Sequence, residues 1–147
     1  NDTHSLRKCE TLNTGSATGR LVGGNLATIC ANIGTKDEML YKRKIILLED
    51  VDEEIYSIDR MMRQLHNCNM LKKAKGLIFG NFRGISNSTH RYRKTLREVL
   101  TFYAKKNKLP AIYNFPAGHC SDQQILKIGG KITLTASLFK ADVRLLD

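Results

Sequence analysis

Several features that often reveal a protein's class are missing from this sequence of 147 residues. Tryptophan is absent, and no apolar run approaches the roughly 20 residues that a membrane-spanning helix needs. The four cysteines contain no CxxC pair, which argues against a disulfide scaffold and a zinc ribbon. No signal peptide, HExxH motif or comparable cluster is present. We therefore expect a globular protein with no metal, no cofactor and no membrane partner.

Negative charge is also scarce. The sequence has 24 Lys and Arg against 14 Asp and Glu, which gives a formal net charge of +10. An excess of positive charge is typical of proteins that bind nucleic acid or another polyanion. The cations lie in short scattered runs with few aromatic residues between them, a pattern that favours an ordinary surface or one basic part of a larger protein. We expect no specific nucleic-acid partner, and a non-catalytic basic binding domain is an alternative.

Hydrophobic spacing predicts strands and helices in alternation along the chain. Strands are predicted where short apolar or alternating runs occur, at 19–25, 44–49, 76–80, 110–113, 131–136 and 143–146. Helices are predicted where apolar residues recur every three to four positions, at 26–33, 55–65 and 96–103. Strand-then-helix units followed by terminal strands predict an α/β domain with a sheet of mixed direction.

The first residues differ in character from the rest of the chain. Residues 1–18 are polar, carry Gly and Ser, and follow no steady period, so they predict a linker or leading arm. The folded domain is accordingly assigned to 19–147. In the second predicted helix, Asp59 and Arg63 stand four residues apart and are expected to form an exposed ion pair.

Three polar side chains follow predicted strands, where open α/β sheets gather their ligands. Asn25 follows a glycine pair and is expected to cap a helix, Glu49 closes the most apolar strand, and His119 lies in a later loop. A carboxylate that ends four aliphatic residues loses part of its hydration and needs a partner. Asp50 and Glu53, however, form a capping-box pattern, so Glu49 fits equally well as a plain anion at a helix N-terminus.

His119 has the side chain of a general base that works near neutral pH. A lone loop histidine is nevertheless more often exposed or engaged in a turn. A Glu–His pair also needs a nucleophile, and the sequence has no GxSxG elbow. Ser16 is a weak candidate because it lies in the predicted arm. Cys120 is adjacent to His119, and the side chains of adjacent residues rarely face one another. Residue patterns alone thus indicate a candidate Glu49–His119 pair that lacks a nucleophile.

Three blocks of the sequence resemble the C-terminal domain of the LD-carboxypeptidases. This serine peptidase family includes muramoyltetrapeptide carboxypeptidases and the microcin C self-immunity peptidases. The blocks cover nearly the whole chain and lie at 19–35, 45–65 and 110–134. The second, with Leu-Leu-Glu-Asp-Val-Asp-Glu-Glu at 47–54, is the most specific. The third contains Pro-Ala-Gly-His at 116–119, but has Lys127 where the family usually has proline.

The resemblance implies a swivelling β/β/α-type domain, with a mixed sheet flanked by helices. It also implies a Ser–Glu–His triad that two domains share. Glu49 would orient the imidazole of His119, and His119 would move the proton. The nucleophilic serine would belong to an N-terminal domain that is not in this chain. Asn25 would lie on the substrate-facing wall.

The activity that the resemblance implies belongs to a bacterial cytoplasmic enzyme of peptidoglycan recycling. This serine carboxypeptidase, a hydrolase, would release the terminal D-alanine from murein tetrapeptides. The alternative is an immunity-type peptidase that cleaves peptide–nucleotide antibiotics. The expected partners are a peptidoglycan-derived peptide and the N-terminal nucleophile domain, with a homodimer left open. By itself, this chain is expected to be inactive.

Overall fold

A seven-stranded sheet with helices runs through the residues that the computed structural model describes, 9–87, 91–118 and 126–146. The strands are β1 (Glu10–Asn13), β2 (Gly15–Asn25), β3 (Ile45–Val51), β4 (Gly76–Arg83), β5 (Ala111–Tyr113), β6 (Lys131–Ala136) and β7 (Ala141–Leu146). The helices are α1 (Leu26–Ala31), α2 (Ile55–Asn67), α3 (Met70–Lys73) and α4 (Leu96–Lys106). The predicted α/β class with a mixed sheet is confirmed.

The strand order is β1-β5-β4-β3-β2-β6-β7. The four central strands, β2 to β5, pair in parallel, whereas β1, β6 and β7 are antiparallel to their neighbours. The parallel strands therefore all end at one edge of the sheet, here called the carboxyl edge, after Asn25, Val51, Arg83 and Tyr113. They begin at the opposite edge, here called the amino edge.

Residues 10–18, predicted to be part of a linker, lie mostly in strands β1 and β2. Strand β1 pairs with β5, and the first part of β2, Gly15 to Arg20, pairs with β6. The sequence shows no apolar period here because backbone pairing, which leaves no trace in side-chain type, holds these strands in place. Leu12 alone is buried among residues 10–18.

Both faces of the central sheet are covered, as the continuous apolar run in β3 predicts. Ile46 and Leu48 point into a core under the helices, while Ile45 and Leu47 point into a second core. Strand β2 pairs with β3 through its second half and with β6 through its first half, so the sheet curls and β6 closes the second core. None of the helices in the described part of the chain has the length and apolar character needed to span a bilayer.

Helix α2 buries the predicted apolar stripe together with one charged side chain. Asp59, expected to be exposed, is only 4% exposed and accepts hydrogen bonds from the hydroxyls of Tyr92 and Tyr103, the latter at 2.7 Å. The predicted exposed position of Asp59 is therefore wrong, because Asp59 faces α4 rather than solvent, although Arg63 still interacts electrostatically with it. Burial raises the pKa of Tyr103, and its hydrogen bond to Asp59 raises it further, so the hydroxyl remains a donor at neutral pH.

We expect Tyr103→Phe to lower the free energy of unfolding by about 1–3 kcal/mol, because the buried carboxylate of Asp59 loses a hydrogen-bond donor. Urea denaturation at neutral pH measures this difference. Tyr41→Phe is the matched control, since the partly buried hydroxyl of Tyr41 makes no hydrogen bond with a described residue. Equal losses in the two variants would show that the Tyr103–Asp59 bond adds nothing.

Candidate active site

Two of the three predicted site residues lie side by side at the carboxyl edge. Asn25 at the end of β2 is the register partner of Glu49 near the end of β3. The pairing of β3 with β4 shifts register between Leu48 and Asp50, which places Glu49 at an irregularity in the ladder. Such irregularities re-aim side chains and are frequent next to active sites.

The side chain of Glu49 is 8% exposed and lies against two glycines. A Cβ atom on Gly80 of β4 would stand 3.4 Å from the Glu49 Cβ, and one on Gly118 would stand 3.1 Å from Glu49 Oε2. Gly118 also has a φ of +102°, a conformation that side-chain-bearing residues rarely adopt. Glycine at 118 therefore lets the backbone of this loop reach the carboxylate.

The loop that carries Gly118 is fixed to the end of β4. The Phe115 amide donates to the Phe79 carbonyl at 3.1 Å, and the Asn81 amide donates to the Ala117 carbonyl at 2.8 Å. Phe115 and Ala117 are buried in the second core. Backbone and side chains thus hold the loop against the sheet as far as Gly118.

His119 is the next residue, and it lies outside the described residues. The expected contact between Glu49 and His119 therefore stays a prediction. The described geometry bears on it only through Gly118, which precedes His119 in the chain and lies close to the Glu49 side chain. Cys120 also lies outside the described residues.

Asn25 caps helix α1, as its position predicts. Its Oδ1 accepts a hydrogen bond from the Thr28 amide at 3.0 Å, and its Nδ2 donates to Asp50 Oδ1 at 3.1 Å. The amide group is thus engaged with the protein at both ends, and these bonds hold the neighbour of Glu49 in place. The substrate-facing role of Asn25 stays a prediction.

Asp50 does not cap α2 as its spacing from Glu53 predicts. Strand β3 continues through Val51, so α2 begins later, after an N-cap at Glu54 that makes no side-chain capping bond. Asp50 is 2% exposed and accepts a hydrogen bond from the Ala27 amide at 3.0 Å, in the first turn of α1. The two-residue period of the strand could have predicted the burial of Asp50, because it places Asp50 on the same helix-covered face as Ile46 and Leu48.

The site can hold an imidazole in a fixed orientation, because its carboxylate is rigidly placed on a strand and lies against the incoming loop. The residues described contain no group of three or more His, Cys, Asp or Glu positioned to hold a metal ion. An open groove of about 970 Å³ lies elsewhere, between β1 and the turn that joins β6 to β7. Its lining includes neither Glu49 nor Asn25.

Comparison with known proteins supports the predicted relationship. A family model described as LD-carboxypeptidase C-terminal domain matches residues 18–134. Over 135 residues, the chain is 34% identical to the Bacillus subtilis protein named "Probable murein peptide carboxypeptidase". This match covers 92% of the chain and 42% of the B. subtilis protein, so the chain spans less than half of that relative.

Two solved structures share the fold. A muramoyltetrapeptide carboxypeptidase from Oxalobacter formigenes superposes with a TM-score of 0.81 and 26% identity, covering 98% of this chain and 52% of that one. The microcin C7 self immunity protein MccF in its wild-type apo state also gives a TM-score of 0.81, with 21% identity, over all of this chain and 45% of that one. The second likeness concerns the fold alone.

Proposed function

Because this chain belongs to the LD-carboxypeptidase family, whose C-terminal domain it matches, we propose that it supplies two members of a Ser–Glu–His triad. Glu49 is the carboxylate and His119 the imidazole. The serine is supplied by an N-terminal domain. The chain spans only 42% of the B. subtilis protein, so that relative is long enough to contain such a domain.

The observation that carries this proposal is the contact between Glu49 and Gly118. Glu49 is nearly buried, and a Cβ atom on Gly118 would stand 3.0 Å from its Cγ and 3.1 Å from its Cβ and Oε2, so glycine allows this close approach. His119 directly follows Gly118 in the chain, which supports its assignment as the partner of this carboxylate. A buried carboxylate in that place is suited to accept a hydrogen bond from one ring nitrogen of histidine.

The proposed reaction uses each group in turn. The serine oxygen attacks the amide carbon while His119 takes the hydroxyl proton. When the carbon–nitrogen bond breaks, His119 gives that proton to the departing amine of D-alanine. Water then repeats the sequence on the acyl-enzyme and restores the serine. Glu49 holds the imidazole in the required tautomer and stabilises its cationic form, an effect that burial strengthens.

The proposed substrate is a murein tetrapeptide, from which the enzyme releases the terminal D-alanine in the bacterial cytoplasm. The support is the 34% identity with a protein named for murein peptide carboxypeptidase activity. Cleavage of a peptide–nucleotide antibiotic is the second candidate, favoured by the superposition on the microcin C7 self immunity protein at 21% identity. The second candidate ranks lower because that likeness is limited to the fold.

The test compares the 147-residue chain with the same chain joined to its N-terminal domain. We expect the joined protein to release D-alanine from a murein tetrapeptide, and the shorter chain to release none, because the triad is then incomplete. A coupled D-amino-acid oxidase assay measures the product. Release by the 147-residue chain alone would contradict the shared triad. Faster turnover of a peptidyl nucleotide than of the tetrapeptide would favour the immunity-type activity.

A further inference from the structure

The basic runs that are scattered in the sequence converge on the amino edge of the sheet. Each of the strands β3, β4 and β5 is preceded by three cations within a few residues of its start. We call this set the basic edge: Lys42, Arg43, Lys44, Lys72, Lys73, Lys75, Lys105, Lys106 and Lys108. All of these residues except the half-buried Lys44 are exposed.

Backbone hydrogen bonds hold the three segments of the basic edge together. The Arg43 amide donates to the Lys73 carbonyl, and the Lys75 amide donates to the Lys44 carbonyl, both at 2.8 Å. The Leu77 amide donates to the Pro110 carbonyl at 2.9 Å, which ties the third segment to the second. Because neighbouring strands lie about 4.8 Å apart, the three segments span roughly 10 Å on a rigid frame.

The charges of the basic edge are not neutralised within the described part of the chain. The ion pairs there, Arg97–Glu10 and Lys140–Asp142, involve no member of the basic edge. Acidic residues instead lie at the carboxyl edge, from Glu49 to Glu54. Four members of the basic edge lie in the last turns of α3 and α4, where cations interact favourably with the helix dipole. This interaction does not explain the other five members.

Two members of the basic edge occupy backbone conformations that suit glycine. Arg43 has a φ of 58° and Lys108 a φ of 54°, both left-handed. Lys108 directly follows the C-cap of α4 at Asn107, a position where glycine is the usual residue. A left-handed φ is costly for a residue with a Cβ atom, so the backbone conformation does not account for arginine and lysine at these positions.

An exposed aromatic ring borders the basic edge. Phe102 on α4 is 45% exposed, with Lys106 Nζ 5.4 Å and Lys94 Nζ 5.0 Å from its ring centroid. An exposed ring among cations is the combination by which proteins bind single-stranded nucleic acid, with bases stacked on the ring and phosphates on the cations. An acidic peptide would use the cations but has no need of the ring.

We propose that the basic edge binds single-stranded nucleic acid without sequence preference. The cations contact the phosphates, and a base stacks on Phe102 in place of a lysine ammonium group that lies over the ring. This surface lies at the opposite edge of the sheet from Glu49, so occupying it leaves the candidate active site open. The proposal stands apart from the peptidase activity and does not depend on it.

The test is a titration of a fluorescein-labelled oligo-dT with the 147-residue chain, followed by anisotropy between about 50 and 200 mM salt. We expect Lys72→Gln/Lys73→Gln/Lys75→Gln to weaken binding at least about tenfold and to flatten the slope of log K against log salt by about 2, since each phosphate contact contributes about 0.7. The control with the same charge loss, Arg60→Gln/Arg83→Gln/Arg144→Gln, changes exposed cations outside the basic edge. Equal effects of the two triple variants would overturn the proposal.

Two single variants separate binding from folding and nucleic acid from other polyanions. Lys108→Gly is expected to reduce the salt slope by about 0.7 without lowering Tm, because glycine suits the left-handed conformation. Phe102→Leu is expected to weaken binding of oligo-dT but not of inorganic polyphosphate, since only the bases stack. Equal binding of oligo-dT, a poly-glutamate peptide and anionic vesicles, unaffected by Phe102→Leu, would refute nucleic acid as the ligand.

Discussion

Glu49→Gln in the two-domain protein is expected to lower kcat for D-alanine release by about 10⁴-fold, the loss typical of a triad carboxylate that loses its charge. Glutamine keeps the shape of the buried side chain but cannot hold the imidazole in the same tautomer or stabilise its cation. KM should change little, because in the proposed triad Glu49 acts on His119 and not on the substrate. Steady-state kinetics with a murein tetrapeptide measure both constants.

The matched control for this variant is Asp52→Asn. Asp52 is an exposed carboxylate three residues further along the same segment, and asparagine accepts its left-handed φ of 54°. We expect it to retain near-normal turnover. His119→Ala should lose more activity than Glu49→Gln, and the double variant should lose little more than His119→Ala, because the two groups act as one unit. Near-normal rates in either single variant would remove the triad assignment.

Gly23→Ala is expected to lower the free energy of unfolding by about 4 kcal/mol, from about 1–3 kcal/mol of backbone strain and a similar amount of overpacking. Gly23 has a φ of +133°, and a Cβ atom there would stand 1.9 Å from the carbonyl oxygen of Leu47 on β3. The parallel pair at the centre of the sheet would have to separate. Urea denaturation followed by circular dichroism measures the change.

Gly24→Ala is the control that isolates the collision with Leu47. Gly24 has a similar φ of +151°, but a Cβ atom there would meet nothing within 4 Å. It should therefore lose only the strain contribution, about 1–3 kcal/mol. Equal losses at 23 and 24 would mean that close approach of β2 to β3 is not what requires glycine.

The parts of the fold that the sequence predicts are those where burial dictates residue type. Ile45 to Leu48 form a continuous apolar run because both faces of β3 are covered. The stripe of Ile58, Met62 and Leu65 in α2 is visible because that helix buries one face only.

Other features depend on contacts that local pattern does not encode. Strand β1 is held by backbone pairing, and Asp59 is buried because tyrosines from distant segments supply its hydrogen bonds. The position of Glu49 near a strand end follows from spacing, whereas its proximity to Gly118 is a tertiary contact between remote segments. The role of His119 rests on family resemblance, because a lone loop histidine has no diagnostic spacing.

The pairing of the first strands with the last ones affects how the chain folds. Thr11 Oγ1 donates a hydrogen bond to the carbonyl of Ser137, 126 positions away, and β2 pairs with β6 over a similar separation. Contacts of such high sequence separation slow folding, since loop closure must precede them. A ribosome must therefore translate nearly the whole domain before the second core can close. Until then, the first half of β2 lacks its partner β6, and such an unpaired strand edge is prone to aggregation.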